Sequence, residues 1–139
     1  MSEQENSNAG YRISHTMIRI RSLEKSLIFY CDILGMKVLR NTDYPDGRFT
    51  NTFIGYGEEA THPTIELTCN WDQEDDYEKG NGWGHLAFEV PDIFVACDKL
   101  AEAGIKITRA PGPMKHGTRN IAFVEDPDGY KVELNEPIW

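Results

Sequence analysis

The sequence repeats one pattern of histidine and glutamate in its two halves. His15 and His85 each open a short run of alternating residues, while Glu66 and Glu133 each lie in the middle of a later apolar run. The members of each pair are about 70 residues apart, enough for one strand, one helix and three further strands. The repeat predicts an internal duplication: an α+β fold of two βαβββ modules that form a curved mixed sheet.

Hydrophobic periodicity places the elements within each half. Alternation predicts strands that begin at His15 and His85. Ser22 is expected to cap the first helix, Pro91 and Asp92 to open the second, and a glycine ends each helix. The remaining strands are predicted at residues 36–39, 49–56 and 64–70 in the first half, and at residues 105–107, 120–125 and 130–135 in the second.

The chain of 139 residues has the length of one domain. Residues 1–10 are polar and are expected to form a flexible tail. Residues 11–139 are then a single domain made of two modules, at about 11–71 and 80–136.

Charge and apolar content limit the partners of the chain. With 14 Lys and Arg against 23 Asp and Glu, the net charge is −9, which repels phosphate backbones and argues against a nucleic-acid partner. No apolar stretch reaches the roughly 20 residues of a membrane helix, and no signal peptide is recognisable, so no membrane partner is expected. Three separated cysteines, Cys31, Cys69 and Cys97, indicate reduced thiols and predict a cytoplasmic protein.

The repeated histidines and glutamates are candidate metal ligands. Ile65 and Leu67 flank Glu66, so in a strand the carboxylate points away from the apolar face. Two imidazoles and two carboxylates on one polar front suit Ni, Co, Zn, Mn or Fe(II). A single strand histidine is more often structural, and the phased repetition of both residue types is what favours a metal site. His62 and His116 lie beside Pro and Gly in predicted loops, where surface exposure is expected.

Several segments, in this order, closely resemble glyoxalase I (lactoylglutathione lyase), a family of the vicinal oxygen chelate superfamily. The resemblance extends from about Tyr11 to Glu136. The segments that carry it are His15–Ile20, Leu34–Arg40, Ile65–Trp71, Gly84–Ala87 and Phe123–Leu134.

The resemblance implies a metal enzyme with shared sites. It makes His15, Glu66, His85 and Glu133 the four metal ligands. Family members form homodimers, so the first two ligands of one chain should meet the last two of the other. The short chain resembles the nickel- or cobalt-activated bacterial group, with zinc as the alternative metal.

The same resemblance implies the reaction. Family members isomerise the hemithioacetal of methylglyoxal and glutathione to S-lactoylglutathione, which detoxifies methylglyoxal, by proton transfer through an enediolate stabilised by the metal. Glu133 would be the catalytic base, and Glu66 its counterpart on the other face of the substrate. Arg19, Asn70 and Lys115 match substrate-binding positions. Another thiol, such as trypanothione, could replace glutathione.

Some residues depart from the family pattern, and other functions compete. Trp83 and His116 are expected to alter the mouth of the pocket, and Cys69 to affect only packing. A dioxygenase, an epimerase or a fosfomycin-modifying enzyme could share the fold, but the first and last of these typically use three protein ligands. Drug-sequestering relatives lack the full ligand set, so four candidate ligands favour the isomerase.

Overall fold

The computed structural model describes residues 8–138, so most of the predicted polar tail lies outside the described residues. The order strand, helix, three strands occurs twice, which confirms the predicted α+β fold of two βαβββ modules. The first module contains β1 (His15–Ile20), helix α1 (Leu23–Leu27), a π-helical segment (Ile28–Ile33), β2 (Lys37–Tyr44), β3 (Phe49–Gly55) and β4 (Thr64–Asn70). The second contains β5 (Leu86–Glu89), α2 (Ile93–Glu102), β6 (Ile107–Pro113), β7 (Asn120–Glu125) and β8 (Lys131–Asn135).

Each module has its own four-stranded mixed sheet. The strand orders are β1-β4-β3-β2 and β5-β8-β7-β6, so the first and last strands of each module are neighbours. These two strands pair in parallel, and the other pairs are antiparallel. The register is the same in both modules: Met17 lies opposite Glu66, and Ala87 lies opposite Glu133.

A single apolar core joins the backs of the two sheets. Ile20 and Leu67 of the first sheet are fully buried, as are Val132 and Leu134 of the second. They belong to the same cluster of buried side chains as the helix residues of both modules. The alternation predicted around Glu66 is therefore observed, with apolar neighbours turned inward.

The first helix differs from the prediction. Ser22 caps it as expected, because its hydroxyl accepts a hydrogen bond from the Lys25 amide. After only five residues, however, α1 widens into a π-helix, in which the Leu34 amide donates to the Phe29 carbonyl five residues earlier. The wider turn accompanies the complete burial of two consecutive aromatic side chains, Phe29 and Tyr30.

The turn between β7 and β8 connects the two modules through hydrogen bonds. The buried Tyr30 hydroxyl donates to Asp126 Oδ2 at 2.6 Å, and the Tyr130 hydroxyl donates to the Arg19 carbonyl at 2.8 Å. Burial raises the pKa of the Asp126 carboxyl, while the bonds from Tyr30 and from backbone amides oppose that rise. Asp126 is thus a buried acid whose charged form is stabilised by Tyr30 together with the backbone amides of Asp128 and Tyr130.

Among residues 8–138, none of the helices has the length and apolar character needed to span a bilayer.

Replacing Tyr30 by Phe removes the donor from Asp126 and is expected to lower the free energy of unfolding by about 2 kcal/mol at pH 7. Tyr56→Phe is the matched control, because it removes a hydroxyl that donates to the neutral Leu34 carbonyl within one module. It should cost about 1 kcal/mol or less. Urea denaturation measures the free energy of unfolding of each variant.

The pH dependence separates the two variants. The Tyr30 hydroxyl favours ionised Asp126, so the cost of Tyr30→Phe should be full above the folded pKa of Asp126 and shrink as that acid is protonated. The cost of Tyr56→Phe should not change with pH over this range. Equal costs of Tyr30→Phe at pH 7 and in acid would contradict this account of Asp126.

Candidate active site

The first candidate ligand pair lies on β1 and β4. His15 Nε2 is 3.0 Å from Glu66 Oε1, because His15 begins β1 two residues before the residue that faces Glu66 across the parallel pair. The imidazole is 39% exposed and the carboxylate side chain 14%. Ser14 Oγ lies 3.3 Å from the other ring nitrogen, Nδ1. The pair is accessible to solvent, and Ser14 contacts the imidazole at the ring nitrogen that does not face Glu66.

The second pair repeats this arrangement on β5 and β8. His85 Nε2 is 3.4 Å from Glu133 Oε1, with side-chain exposures of 40% and 19%. His85 directly precedes β5, two residues before Ala87, the residue opposite Glu133. The two modules therefore place one nitrogen and one carboxylate in the same way.

An aromatic residue contacts each histidine, and the sequence reasoning missed both. Phe53 and Phe123 each lie with the ring centroid 5.3 Å from that of His15 or His85, in edge-to-face geometry. Their strands place them opposite Glu66 and Glu133 in the antiparallel register. The two phenylalanines repeat at about the spacing of the histidines, and this signal could have identified them. They restrict rotation of the imidazole rings.

Among the described residues, Glu133 accepts a side-chain hydrogen bond that Glu66 lacks. The Asn135 side-chain amide donates to Glu133 Oε2 at 2.7 Å. Asn135 lies two residues along the same strand, and the sequence reasoning did not single it out. This hydrogen bond gives the Glu133 carboxylate a defined orientation.

Within residues 8–138 of one chain, the four candidate ligands form two pairs rather than one cluster. No group of three or more His, Cys, Asp and Glu residues there could hold a metal ion. Each pair has the nitrogen and oxygen donors that borderline divalent metals accept, but supplies only two of them. The donor set fits a metal when two such pairs face each other.

The candidate substrate-binding residues lie in different surroundings. Arg19 is exposed on the strand that begins with His15, beside a surface cavity of about 260 Å³ that Trp83 and Tyr130 also line. The Asn70 amide donates to the Tyr77 hydroxyl at 2.9 Å. Lys115 is exposed in the loop between β6 and β7. The four candidate ligands do not line this cavity, so the role of Trp83 at a pocket mouth stays a prediction.

The two other histidines have exposed positions. His62 lies in the loop before β4 and His116 in the loop after β6, as the sequence predicts. The described ion pairs join neither of them to a carboxylate. They serve as controls for the two paired histidines.

Comparison with known proteins shows the family to which this chain belongs. The model of the Glyoxalase/Bleomycin resistance protein/Dioxygenase superfamily matches residues 12–134. A "Probable lactoylglutathione lyase" of Synechocystis sp. is 62% identical over 120 residues, which cover 86% of this chain and 91% of the relative.

Solved structures agree with the sequence relatives. Glyoxalase I from Zea mays superimposes with a TM-score of 0.84 at 41% identity, covering 91% of this chain. Only 47% of the maize chain is covered, so this chain spans about half its length. The trypanothione-dependent glyoxalase I of Leishmania major gives a TM-score of 0.80 at 37% identity, covering 91% of this chain and 87% of that one. Taken with the paired histidines and glutamates of its duplicated fold, these similarities mean that the chain belongs to the glyoxalase I (lactoylglutathione lyase) family.

Proposed function

We propose that this chain isomerises the hemithioacetal of methylglyoxal and glutathione to S-lactoylglutathione. The observation that carries the proposal is the repeated His–Glu pair, placed by the same strand register in both modules of a chain from this family. The proposed metal ligands are His15, Glu66, His85 and Glu133. Methylglyoxal is detoxified by this conversion.

The donor set supports a divalent metal. His15, Glu66, His85 and Glu133 would hold the ion through two imidazole nitrogens and two carboxylates, a donor set that borderline divalent metals such as Ni(II) and Co(II) accept. A bound divalent ion supplies Lewis acidity, which polarises the substrate carbonyl and stabilises negative charge that develops beside it. We therefore propose Ni(II) or Co(II) as the preferred metal.

The carboxylates carry out the proton transfer. Glu133 takes the proton from the carbon that bears the hydroxyl and the sulfur, and the proton is delivered to the neighbouring carbonyl carbon. Glu66 lies in the matching place of the other module and is the counterpart on the opposite face of the substrate. The hydroxyl proton passes to the former carbonyl oxygen, so the product is an isomer of the substrate and no further reactant is needed.

Two chains complete the site in this proposal. One chain supplies only paired ligands, and the front of its first module carries exposed apolar side chains at Tyr11 (80%), Ile13 (74%) and Met17 (38%). Met17 lies directly opposite Glu66 in the strand register. Covering these residues with a second copy would bury apolar area beside the ligands and bring two pairs together. The maize chain is long enough for two such units.

Cationic and polar side chains would hold the anionic substrate. Arg19, Asn70 and Lys115 are the proposed glutathione contacts, and Arg19 lies four residues after His15 on the same face of β1. Glutathione is the proposed thiol, and a related thiol such as trypanothione is the alternative.

The cysteines have no part in this chemistry. Cys31, Cys69 and Cys97 are free thiols whose pKa values are raised by burial, so they are not activated nucleophiles. Unpaired thiols are typical of a reducing compartment, and we propose a cytoplasmic location on this basis.

Removing a ligand should remove the metal. We expect wild type to bind about one divalent ion per chain, and Glu66→Ala or His85→Ala to lose most of it after dialysis, because three of the four proposed donors hold the ion more weakly than four. His62→Ala is the control and should keep its metal, since His62 lies in an exposed loop. Elemental analysis measures the metal content per chain. Full metal occupancy in both ligand variants would refute the assignment of these residues as ligands.

Shared sites can be tested by mixing two inactive variants. A mixed dimer of His15→Ala and His85→Ala chains contains one site with all four ligands and one with two. Random exchange should restore about a quarter of wild-type activity, because half of the dimers are mixed and each has one intact site. The absorbance of the thioester product measures recovery. No recovery after exchange shown by mass spectrometry would count against shared sites.

The preferred metal can be tested by reconstitution. Protein stripped with a chelator and reloaded with one ion at a time should turn over fastest with Ni(II) or Co(II), since Zn(II) often favours a lower coordination number. Metal content is measured in each sample so that rates refer to loaded sites. Turnover with Zn(II) equal to that with Ni(II) would overturn the metal preference and leave the isomerase proposal intact.

A further inference from the structure

The two repeated carboxylates differ in what holds their second oxygen. In the second module the Asn135 amide donates to Glu133 Oε2 at 2.7 Å. In the first module Thr68 occupies the matching place, two residues after Glu66, and its hydroxyl donates instead to Asn51 Oδ1 at 3.0 Å. The repeat of sequence therefore does not give the two carboxylates equivalent surroundings.

The strands on both sides fix the backbone of Asn135. It lies in β8, where it pairs with Glu89 of β5 and with Ile121 of β7. Asn135 is only 8% exposed, so its amide must satisfy its hydrogen bonds within the protein. Its side chain points to the same face as Glu133, because the two residues are two apart in a strand.

Arg119 determines which way the Asn135 amide points. Arg119 Nη2 donates to Asn135 Oδ1 at 2.9 Å, and Arg119 Nε donates to the Glu136 carbonyl at 2.6 Å. A guanidinium only donates and a carboxylate only accepts, so the amide oxygen must face Arg119 and the amide nitrogen must face Glu133. The three side chains form a directed series of donors that ends on Glu133 Oε2.

We propose that Asn135, oriented by Arg119, is a positioning residue that holds the Glu133 carboxylate in its working orientation. The inference rests on the proposed function, in which Glu133 binds the metal and moves the proton. Ligating carboxylates are commonly held by such outer hydrogen bonds, and proton transfer requires closely defined geometry. Glu66 receives no amide from its own strand, so the fixed carboxylate is the one assigned as base.

Asn135→Leu tests the inference, because leucine has a similar volume and cannot donate. We expect affinity for Ni(II), measured by competition with a chromophoric chelator, to fall about 10- to 100-fold. We also expect kcat to fall by a similar factor with KM almost unchanged, since Asn135 is not among the proposed substrate contacts. Thr68→Val at the matching place of the first module is the control and should change neither quantity.

The role of Arg119 is tested by a double variant. Arg119→Met leaves the amide free to rotate and should weaken Ni(II) binding about tenfold. If Arg119 acts through Asn135, the double variant should bind Ni(II) no more weakly than Asn135→Leu alone. Thermal denaturation of each variant shows that the chain is folded. Should Asn135→Leu fail to fold, the Ni(II) affinity of Arg119→Met decides the matter.

Three results would overturn the inference: unchanged Ni(II) affinity in the folded variants, an equal loss in Thr68→Val, or additive losses in the double variant. Failure of the proposed function is distinguishable from these. A wild-type protein that binds Ni(II) without isomerising the hemithioacetal would refute the function, while the Ni(II) affinities would still test the positioning of Glu133.

Discussion

In each module the last strand returns beside the first, and this parallel pair carries the candidate ligands. Parallel neighbours need a long crossover, and the helix and two intervening strands provide it. The register then places a histidine at the start of one strand within 3.0 or 3.4 Å of a glutamate in the middle of the other. A shift of one residue would turn the glutamate toward the core, where an unpaired charge is costly. The site therefore depends on the register, and the apolar backs of the strands enforce the register.

Hydrogen bonds between the two modules likewise fix the positions of strands, here between modules rather than within one. Asp126 of the last turn is buried against Tyr30 of the first module, and Tyr130 bonds the backbone of Arg19. Burial raises the pKa of Tyr130, so its hydroxyl stays a neutral donor near pH 7. These bonds fix the first strand of one module relative to the last hairpin of the other. They therefore also help to fix the position of one His–Glu pair relative to the other within the chain.

The sequence predicted those parts of the molecule that follow from periodicity. Alternation around Glu66 and the cap at Ser22 are local properties of a few residues, and the structure has both. The π-helical segment was not predicted, because the spacing of Leu27, Tyr30 and Leu34 suits an α-helix and the burial of adjacent aromatics emerges only on packing. The repeat could have drawn attention to Phe53 and Phe123, but only the strand register shows that they lie beside the histidines. The bond from Arg119 to Asn135 was out of reach, since it joins residues from two strand ends that meet only in the folded sheet.

Duplication explains why the donors are alike, and local substitution explains why the carboxylates need not act alike. Two modules with one register give two His–Glu pairs with the same donor atoms. Catalysis of a proton transfer between adjacent carbons instead needs at least one carboxylate in a fixed place. The strand position two residues after the glutamate is where the modules can diverge without loss of the fold, because it lies on the polar front and leaves the core untouched. Thr68 and Asn135 occupy that position, and only the amide is long enough, and suitably oriented by Arg119, to reach the neighbouring carboxylate. In the proposed mechanism, this single pair of non-equivalent residues would make two otherwise similar carboxylates act differently.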